Sequence, residues 1–438
     1  MIALFLILFF GGMLLLGLPM VGSIFIASAS IPLLGHGDLL TWLTIAQSAI
    51  DNAVSGNTGL TIVLFMIAGE FMAKGGLTEK IFDTFSYYLG KRKGFMPIIS
   101  IATCMFYGAI SGSGPATTAA VGAMCYPLLI QMGYSKLFSA SILVSAGCLG
   151  MVIPPSVPLT GASQLAGGLD LVALYQIAAV AGVAAGLLLM VYAYLHCVRT
   201  NDGNQVMINA AVDELRKQSF GAVLKDSIWA ILTPVIILGS IFSGIADTAQ
   251  AAVISLVYSI LVAVFVYKTI KPEEIIPTLR RCAFNACPLC FMIAMAAVFT
   301  AGMNALQIPT LMANAMISAG MSGTVMMIMV LAAMLILGAF MDAGAAMTIL
   351  VPLFCPVLSA YGVNLYTGVV AIIMCQAVGL CNPFCGLCNL VMAPIAGVTI
   401  GELGMKVLKL SALLVLVAVI IALFPALTSW AWTGMYMP

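Results

Sequence analysis

The chain has 438 residues, of which 63% are hydrophobic and 7% charged, with a mean hydropathy of +1.17 and a formal net charge of +1. Such a composition cannot cover a soluble surface, and the near-neutral balance offers no basic field to nucleic acid and no acidic one to cationic partners. Repeated apolar runs of about 20 residues, the length that crosses a bilayer, indicate an all-α polytopic membrane protein.

The first apolar run, residues 1–34, has no basic leading region and is too long for a signal peptide, so it reads as a retained span. Further spans are expected near 58–74, 138–165, 171–196, 227–242, 247–267, 284–301, 367–400 and 410–428. Two more apolar stretches, 95–130 and 324–357, are broken halfway by Gly, Ser and Pro and read as re-entrant helical hairpins. With the N-terminus cytoplasmic and both hairpins returning to their side of entry, all 16 Lys and Arg residues fall on the cytoplasmic side. The segments left outside, near 35–57, 243–247, 302–323, 358–366 and the tail, hold none, which satisfies the positive-inside rule. The expected topology is therefore that of an inner-membrane protein with its C-terminus outside.

The two broken stretches are related at a constant offset of 229 residues. Pro127 matches Pro356, Gly133 matches Gly362, Gly150 matches Gly379, Pro154 matches Pro383 and Gly168 matches Gly397. Two proline coincidences among only 19 prolines argue against chance. Because the span at 227–242 adds an odd crossing, the second copy enters from the opposite side. The organisation expected is a first inverted repeat at 1–226, a linking span at 227–246 and a second repeat at 247–438.

The first copy reads Gly108-Ala-Ile-Ser111-Gly112-Ser113-Gly-Pro115-Ala-Thr117, followed by Gly150-Met-Val-Ile-Pro154-Pro155-Ser156. Small residues and prolines free backbone N–H and C=O groups at a depth where lipid cannot satisfy them, so a polar solute must. Carbonyl ends suit a sodium ion, while half-helix N-termini and the hydroxyls of Ser111, Ser113, Thr117 and Ser156 suit an anionic group. The second copy reads Gly338-Ala-Phe-Met-Asp342, then Gly379-Leu-Cys381-Asn382-Pro383-Phe-Cys385-Gly386-Leu-Cys388-Asn389. Asp342 is the one carboxylate at a hairpin break, where it should pair with a cation or cap exposed amides. Glu70 lies one turn from Lys74 and is expected to form an i,i+4 pair.

Twelve cysteines sit at uneven spacing in apolar stretches and read as buried reduced thiols rather than a disulfide framework. Cys381, Cys385 and Cys388 have a metal-like spacing, but they flank a break in a span rather than a polar loop, so no metal beyond sodium is expected. His36 and His196 sit near span ends, so an intramembrane hydrolase built on Ser113 would have no base. The sequence carries no nucleotide-binding loop, which leaves an ion gradient as the energy source.

At these motifs the sequence resembles the large, DctM-like membrane subunit of the tripartite ATP-independent periplasmic (TRAP) transporters. The likeness covers nearly the whole chain and is densest over Ala68-Gly-Glu-Phe-Met-Ala-Lys-Gly-Gly-Leu, Ala109-Ile-Ser-Gly-Ser-Gly-Pro-Ala-Thr and Gly150-Met-Val-Ile-Pro-Pro-Ser-Val-Pro-Leu. The resemblance implies a sodium-coupled importer of organic acids, not an enzyme, working by an elevator motion. In that motion the hairpins and broken spans move against a scaffold, with arms near Thr78 to Tyr88 and Pro309 to Ser318. It also implies a small four-span membrane subunit and a soluble extracytoplasmic binding protein as partners. The second half departs from the family: Asn382-Pro383-Phe384-Cys385-Gly386 stands where Thr-Pro-Pro-x-Gly is usual, and Asp247-Thr-Ala-Gln250 where Pro-Thr-Glu-Ala is usual.

The expected sodium ligands are Ser111, Gly112, Ser113, Gly150, Pro154, Gly338, Asp342, Gly379 and Asn382. The organic anion is expected against Ser113, Thr117, Ser156, Asn382 and Asn389. A stand-alone anion symporter of the same architecture, or a channel, is the alternative reading.

Overall fold

The computed structural model describes residues 39–55, 57–217, 219–338, 343–383 and 386–429, together with Gly22 and Ile26. The described residues are helical, with no strand among them. The expected span at 2–34 and the position of Asp342 lie outside them.

The first half runs α1 (Leu39–Ser55), α2 (Asn57–Lys74), α3 (Leu77–Leu89), α4 (Phe95–Ser111), α5 (Gly114–Gln131), α6 (Lys136–Gly147), a 3-10 turn at Cys148–Met151, α7 (Val157–Leu165), α8 (Leu171–Thr200) and α9 (Gln205–Leu215). The second runs α10 (Phe220–Phe242), α11 (Thr248–Leu261) with a π-turn at Val262–Val266, α12 (Pro272–Ala305), α13 (Ile308–Ser318), α14 (Gly323–Gly338), α15 (Ala343–Ala360), α16 (Leu365–Gly379), α17 (Leu387–Ala396), α18 (Ile400–Leu423) and the short α19 (Ala426–Ser429).

Side-chain caps fix where several helices begin. Asp170 accepts from the Val172 and Ala173 amides at 3.2 Å to open α8, and the Asn364 side chain accepts from Tyr366 and Thr367 to open α16. Asp247 and Gln250 form a reciprocal capping box at α11, with the Gln250 amide donating to Asp247 Oδ1 at 2.7 Å. The Asp-Thr-Ala-Gln departure noted above is thus a helix start in its own right. Thr399 and Glu402 do the same for α18.

Helix bounds recur at the 229-residue offset. Moved by that interval, α5 falls on α15, α3 on α13, α6 on the start of α16, and α8 begins where α18 begins. Gly133 and Gly362 both have positive φ (82° and 67°), as do Gly168 and Gly397 (80° and 61°), so the same turns end corresponding elements with the residue that tolerates them.

The packing is reciprocal. Helix α5 lies against α17 and α15 against α7, while α6 lies against α18 and α16 against α8. The Tyr126 hydroxyl of α5 donates to the Ala396 carbonyl at the end of α17, at 3.0 Å. Most of the buried core is formed where these helices meet.

Three sequence expectations need correction. Residues 39–55, where no helix is expected, form α1, which buries Trp42 and packs against α12. Helix α12 begins at Pro272 rather than near 284. Pro272 occupies its first turn with Glu273 and Glu274, and the Glu274 carboxylate accepts the Lys271 backbone N–H at 3.0 Å, so charges that resemble a loop are a helix N-terminus. Glu70 pairs with Arg281 rather than Lys74, and Lys74 instead donates to Thr278 Oγ1 at 2.9 Å.

Helix α9, also unexpected, ties two regions together. The Asn204 amide ahead of it donates to the Met132 carbonyl at 2.8 Å, Gln205 Nε2 donates to the Lys91 carbonyl at 2.7 Å, and Asp213 pairs with Lys91. Arg216 donates to the Tyr87 carbonyl through both Nε and Nη2.

Candidate functional site

The first hairpin turns at Gly112, whose φ of 61° ends α4, and Ser113, extended at φ −136°, starts α5. Ser111 Oγ and Thr117 Oγ1 lie 2.8 Å apart, and both donate to the Ser113 carbonyl, at 3.3 and 2.8 Å. The tip is a small oxygen-rich knot, with Thr117 fully buried and Ser113 partly exposed. No side chain caps the N-terminus of α5.

This knot is seated on the break between α6 and α7. A Cβ on Gly150 would come 2.5 Å from Thr117 Oγ1 and 3.1 Å from both Gly108 Cα and the Ser113 carbonyl oxygen. One on Gly112 would come 3.0 Å from the Pro155 carbonyl oxygen. Only glycine permits so close an approach of two backbones. On the far side, a Cβ on Gly69 of α2 would meet Ser111 Cα at 3.2 Å.

Within the first interruption, residues 152–156 separate the 3-10 turn from α7. Ser156 caps α7 by accepting the Leu159 amide at 3.3 Å, and its hydroxyl donates to the Met151 carbonyl. Its carbonyl accepts from Thr160 Oγ1 at 2.8 Å, and Thr160 shares a 2.6 Å bond with the Tyr175 hydroxyl. Ser156 is wholly buried, and Pro154 lies in the same bend.

The second interruption lies between α16 and α17. A Cβ on Gly379 would come 2.7 Å from the carbonyl carbon of Gly338, the same close approach of two backbones as at Gly150. Asn382 Nδ2 donates to the Gly379 carbonyl at 2.6 Å, and Asn389 Nδ2 donates to both the Cys381 and Asn382 carbonyls at 2.8 Å. Asn389 is fully buried, and Gly386 begins α17 with no side-chain cap.

The two interruptions adjoin. The 3-10 turn packs against α16, and the Cys381 thiol lies 3.7 Å from the Val144 carbonyl of the other half. Ser111, Gly112, Ser113, Thr117, Gly150, Pro154 and Ser156 therefore gather at one interruption and Gly338, Gly379, Asn382 and Asn389 at the other. Sequence reasoning missed Thr160 and Tyr175, whose bond locks α7 to α8. The offset could have found Thr160, since it corresponds to Asn389. No Lys or Arg occurs between Lys93 and Lys136, between Lys136 and Arg199, or between Arg281 and Lys406, so these interruptions are made from hydroxyls, amides and main chain.

Among the described residues four helices, Leu171–Thr200, Val223–Phe242, Thr248–Val266 and Ile400–Leu423, are long and apolar enough to cross a membrane, and shorter apolar helices such as Phe95–Ser111, Gly323–Gly338 and Leu365–Gly379 accompany them. These are the features of a multi-pass membrane protein. A solved structure of similar fold is the YdaH transporter of Alcanivorax borkumensis, with a TM-score of 0.63 at 17% identity, covering 89% of each chain.

Residues 6–427 match the family described as the tripartite ATP-independent periplasmic transporter, DctM component, and the chain belongs to that family. Its relatives are transporter permease subunits, not enzymes. The isethionate TRAP transporter permease protein DctMQ of Oleidesulfovibrio alaskensis is 32% identical over 371 residues, which cover 84% of this chain and 57% of that protein. The C4-dicarboxylate TRAP transporter large permease protein DctM of Pseudomonas aeruginosa is 30% identical over 384 residues, covering 86% of this chain and 87% of that one.

Proposed function

We propose that this chain is the permease subunit of a sodium-coupled importer of a small organic anion in the bacterial inner membrane. It receives its substrate from an extracytoplasmic binding protein and works beside a small membrane subunit. The observation that carries the reading is the Ser111–Ser113–Thr117 knot seated on Gly150, next to a second interruption rich in amides. Hydroxyl and carbonyl oxygens are hard ligands suited to sodium. The uncapped starts of α5 and α17, which belong to helices packed against one another, offer backbone N–H groups to an anion. Relatives named for isethionate and C4-dicarboxylates point to small sulfonates and carboxylates as the substrate class.

In this proposal α4–α5 and α14–α15 are re-entrant. Helices of 17 and 18 residues reach only about 25–27 Å, short of a hydrocarbon core about 30 Å thick. The recurring helix bounds support two inverted repeats, 1–226 and 247–438, joined by 227–246. The one-sided basic residues support a cytoplasmic N-terminus and an outside C-terminus. Hairpins and interrupted spans move together against the remaining helices, with α3 and α13 as arms.

The test is uptake by proteoliposomes containing this chain, its small subunit and its binding protein. An inward sodium gradient should drive accumulation of the anion. Equal accumulation with potassium replacing sodium would overturn the coupling, and uptake without the binding protein would favour a stand-alone symporter.

A further inference from the structure

The rearranged pairing of Glu70 leaves a polar cavity where α2 ends and α12 begins. It has a volume of about 490 Å³ and is lined by Lys74, Thr269, Glu274, Pro277, Thr278 and Arg281. Lys74 donates to the buried Thr278 hydroxyl, a neutral partner, and among the described residues no carboxylate lies within ion-pair distance of it. An ammonium carries three N–H donors, so it has capacity for an anion. Arg281 meets Glu70 through Nη2, and its side chain is 54% exposed, so the rest of its five-donor fork remains open to the cavity. Glu274 supplies the opposite charge, with one carboxylate oxygen accepting the Lys271 amide.

An apolar side chain follows the cavity lining along α12. Phe284, one turn beyond Arg281, is 67% exposed, and the Arg280 guanidinium lies 5.8 Å from its ring centroid. A cationic side chain stacked on an exposed aromatic is the composition of a membrane–water boundary.

We propose that the cavity binds the headgroup of an aminophospholipid, phosphate toward Lys74 and Arg281 and ammonium toward Glu274, with an acyl chain along Phe284. A phosphate alone would satisfy the cations but set its charge near Glu274. An uncharged glycerol headgroup carries no cation for that carboxylate, and a choline headgroup has no N–H to donate. An ethanolamine headgroup matches both ends.

The full chain, in the assembly with which it purifies, is placed in bilayer discs holding equal amounts of phosphatidylethanolamine, phosphatidylglycerol and phosphatidylcholine, and retained lipid is read by native mass spectrometry. The unaltered protein should retain phosphatidylethanolamine preferentially. Lys74→Gln should lower that retention about tenfold, the loss of one charge-assisted hydrogen bond. Glu274→Gln should keep phospholipid bound and erase the preference for ethanolamine over glycerol. Helical circular dichroism shows whether each variant folds, and the Glu274 arm stands without the Lys74 arm. No preference in the unaltered protein, or the same preference in both variants, overturns the proposal. Displacement by inorganic phosphate as effective as by glycerophosphoethanolamine would assign the cavity to free phosphate and overturn it too.

Discussion

The two interruptions relieve the same backbone problem with opposite chemistry. At the first, Ser156 accepts the Leu159 amide N–H and caps the helix that follows. At the second, Asn382 and Asn389 donate to three carbonyls, while Asn389 Oδ1 has no hydrogen-bond partner among the described residues and the start of α17 has no side-chain cap. The balance therefore differs: the first is dominated by hydroxyl and carbonyl oxygens, which favour a cation, and the second adds uncapped N–H groups at the start of α17, which favour an anion. Replacing the family's usual Thr by Asn382 adds to this asymmetry, because a side-chain amide carries two N–H donors where a threonine hydroxyl carries one.

The largest expected effects come from filling the close approaches. Gly150→Val and Gly379→Val drive a branched side chain into backbone already 3.1 Å and 2.7 Å from the first added carbon. Uptake should fall by about 100-fold or more in each, the scale of a misplaced site. Retained transport by either variant, measured at equal protein in the membrane, would separate that contact from function.

Asn389→Leu removes the donor shared by the buried Cys381 carbonyl and the half-buried Asn382 carbonyl, and Thr160→Val at the corresponding place removes a hydroxyl with two bonded partners. The Asn389 change should destabilise by about 2–5 kcal/mol, and the Thr160 change by about 1–2 kcal/mol. Thermal unfolding of both in detergent ranks them, and the reverse order would contradict the view of Asn389 as the main satisfier of its break. Ion dependence sharpens the division further. Asn382→Asp puts a negative charge at the donor-rich break and should raise the substrate KM about tenfold, as one like-charge contact of moderate strength would, with little change in half-saturating sodium. A shift in sodium dependence alone would reverse the assignment. The smallest effect is expected at Glu70→Gln, since its pairing with Arg281 is exposed to solvent and worth about 0–1 kcal/mol, within reach of careful melting curves.

Much of this architecture was legible because interruptions announce themselves. Gly112, Pro154 and Pro383 break long apolar runs, and the break expected within 95–130 is observed between helices at Phe95–Ser111 and Gly114–Gln131. What escaped was polar. Helix α1 carries Thr, Gln, Ser, Asp51 and Asn52 through its length, so no apolar run marks it. The Glu70 partner lies 211 residues away, beyond any local spacing rule, while the nearer Lys74 turns to Thr278. The double donation by Asn389 spans a non-helical turn whose path a side-chain list does not contain. Asp342 remains an expectation of the sequence, since its hairpin tip lies outside the described residues.

The exchange of neighbours between the halves, with α5 on α17 and α15 on α7, also bears on how the protein can be made. Severed in the loop ahead of α10, the polypeptide would give two products, each with a hairpin whose apolar partner resides on the other. Synthesised alone, either fragment would present those faces to lipid or to copies of itself. Synthesised together, the two should assemble, because the contacts that complete each half are already encoded in its sibling.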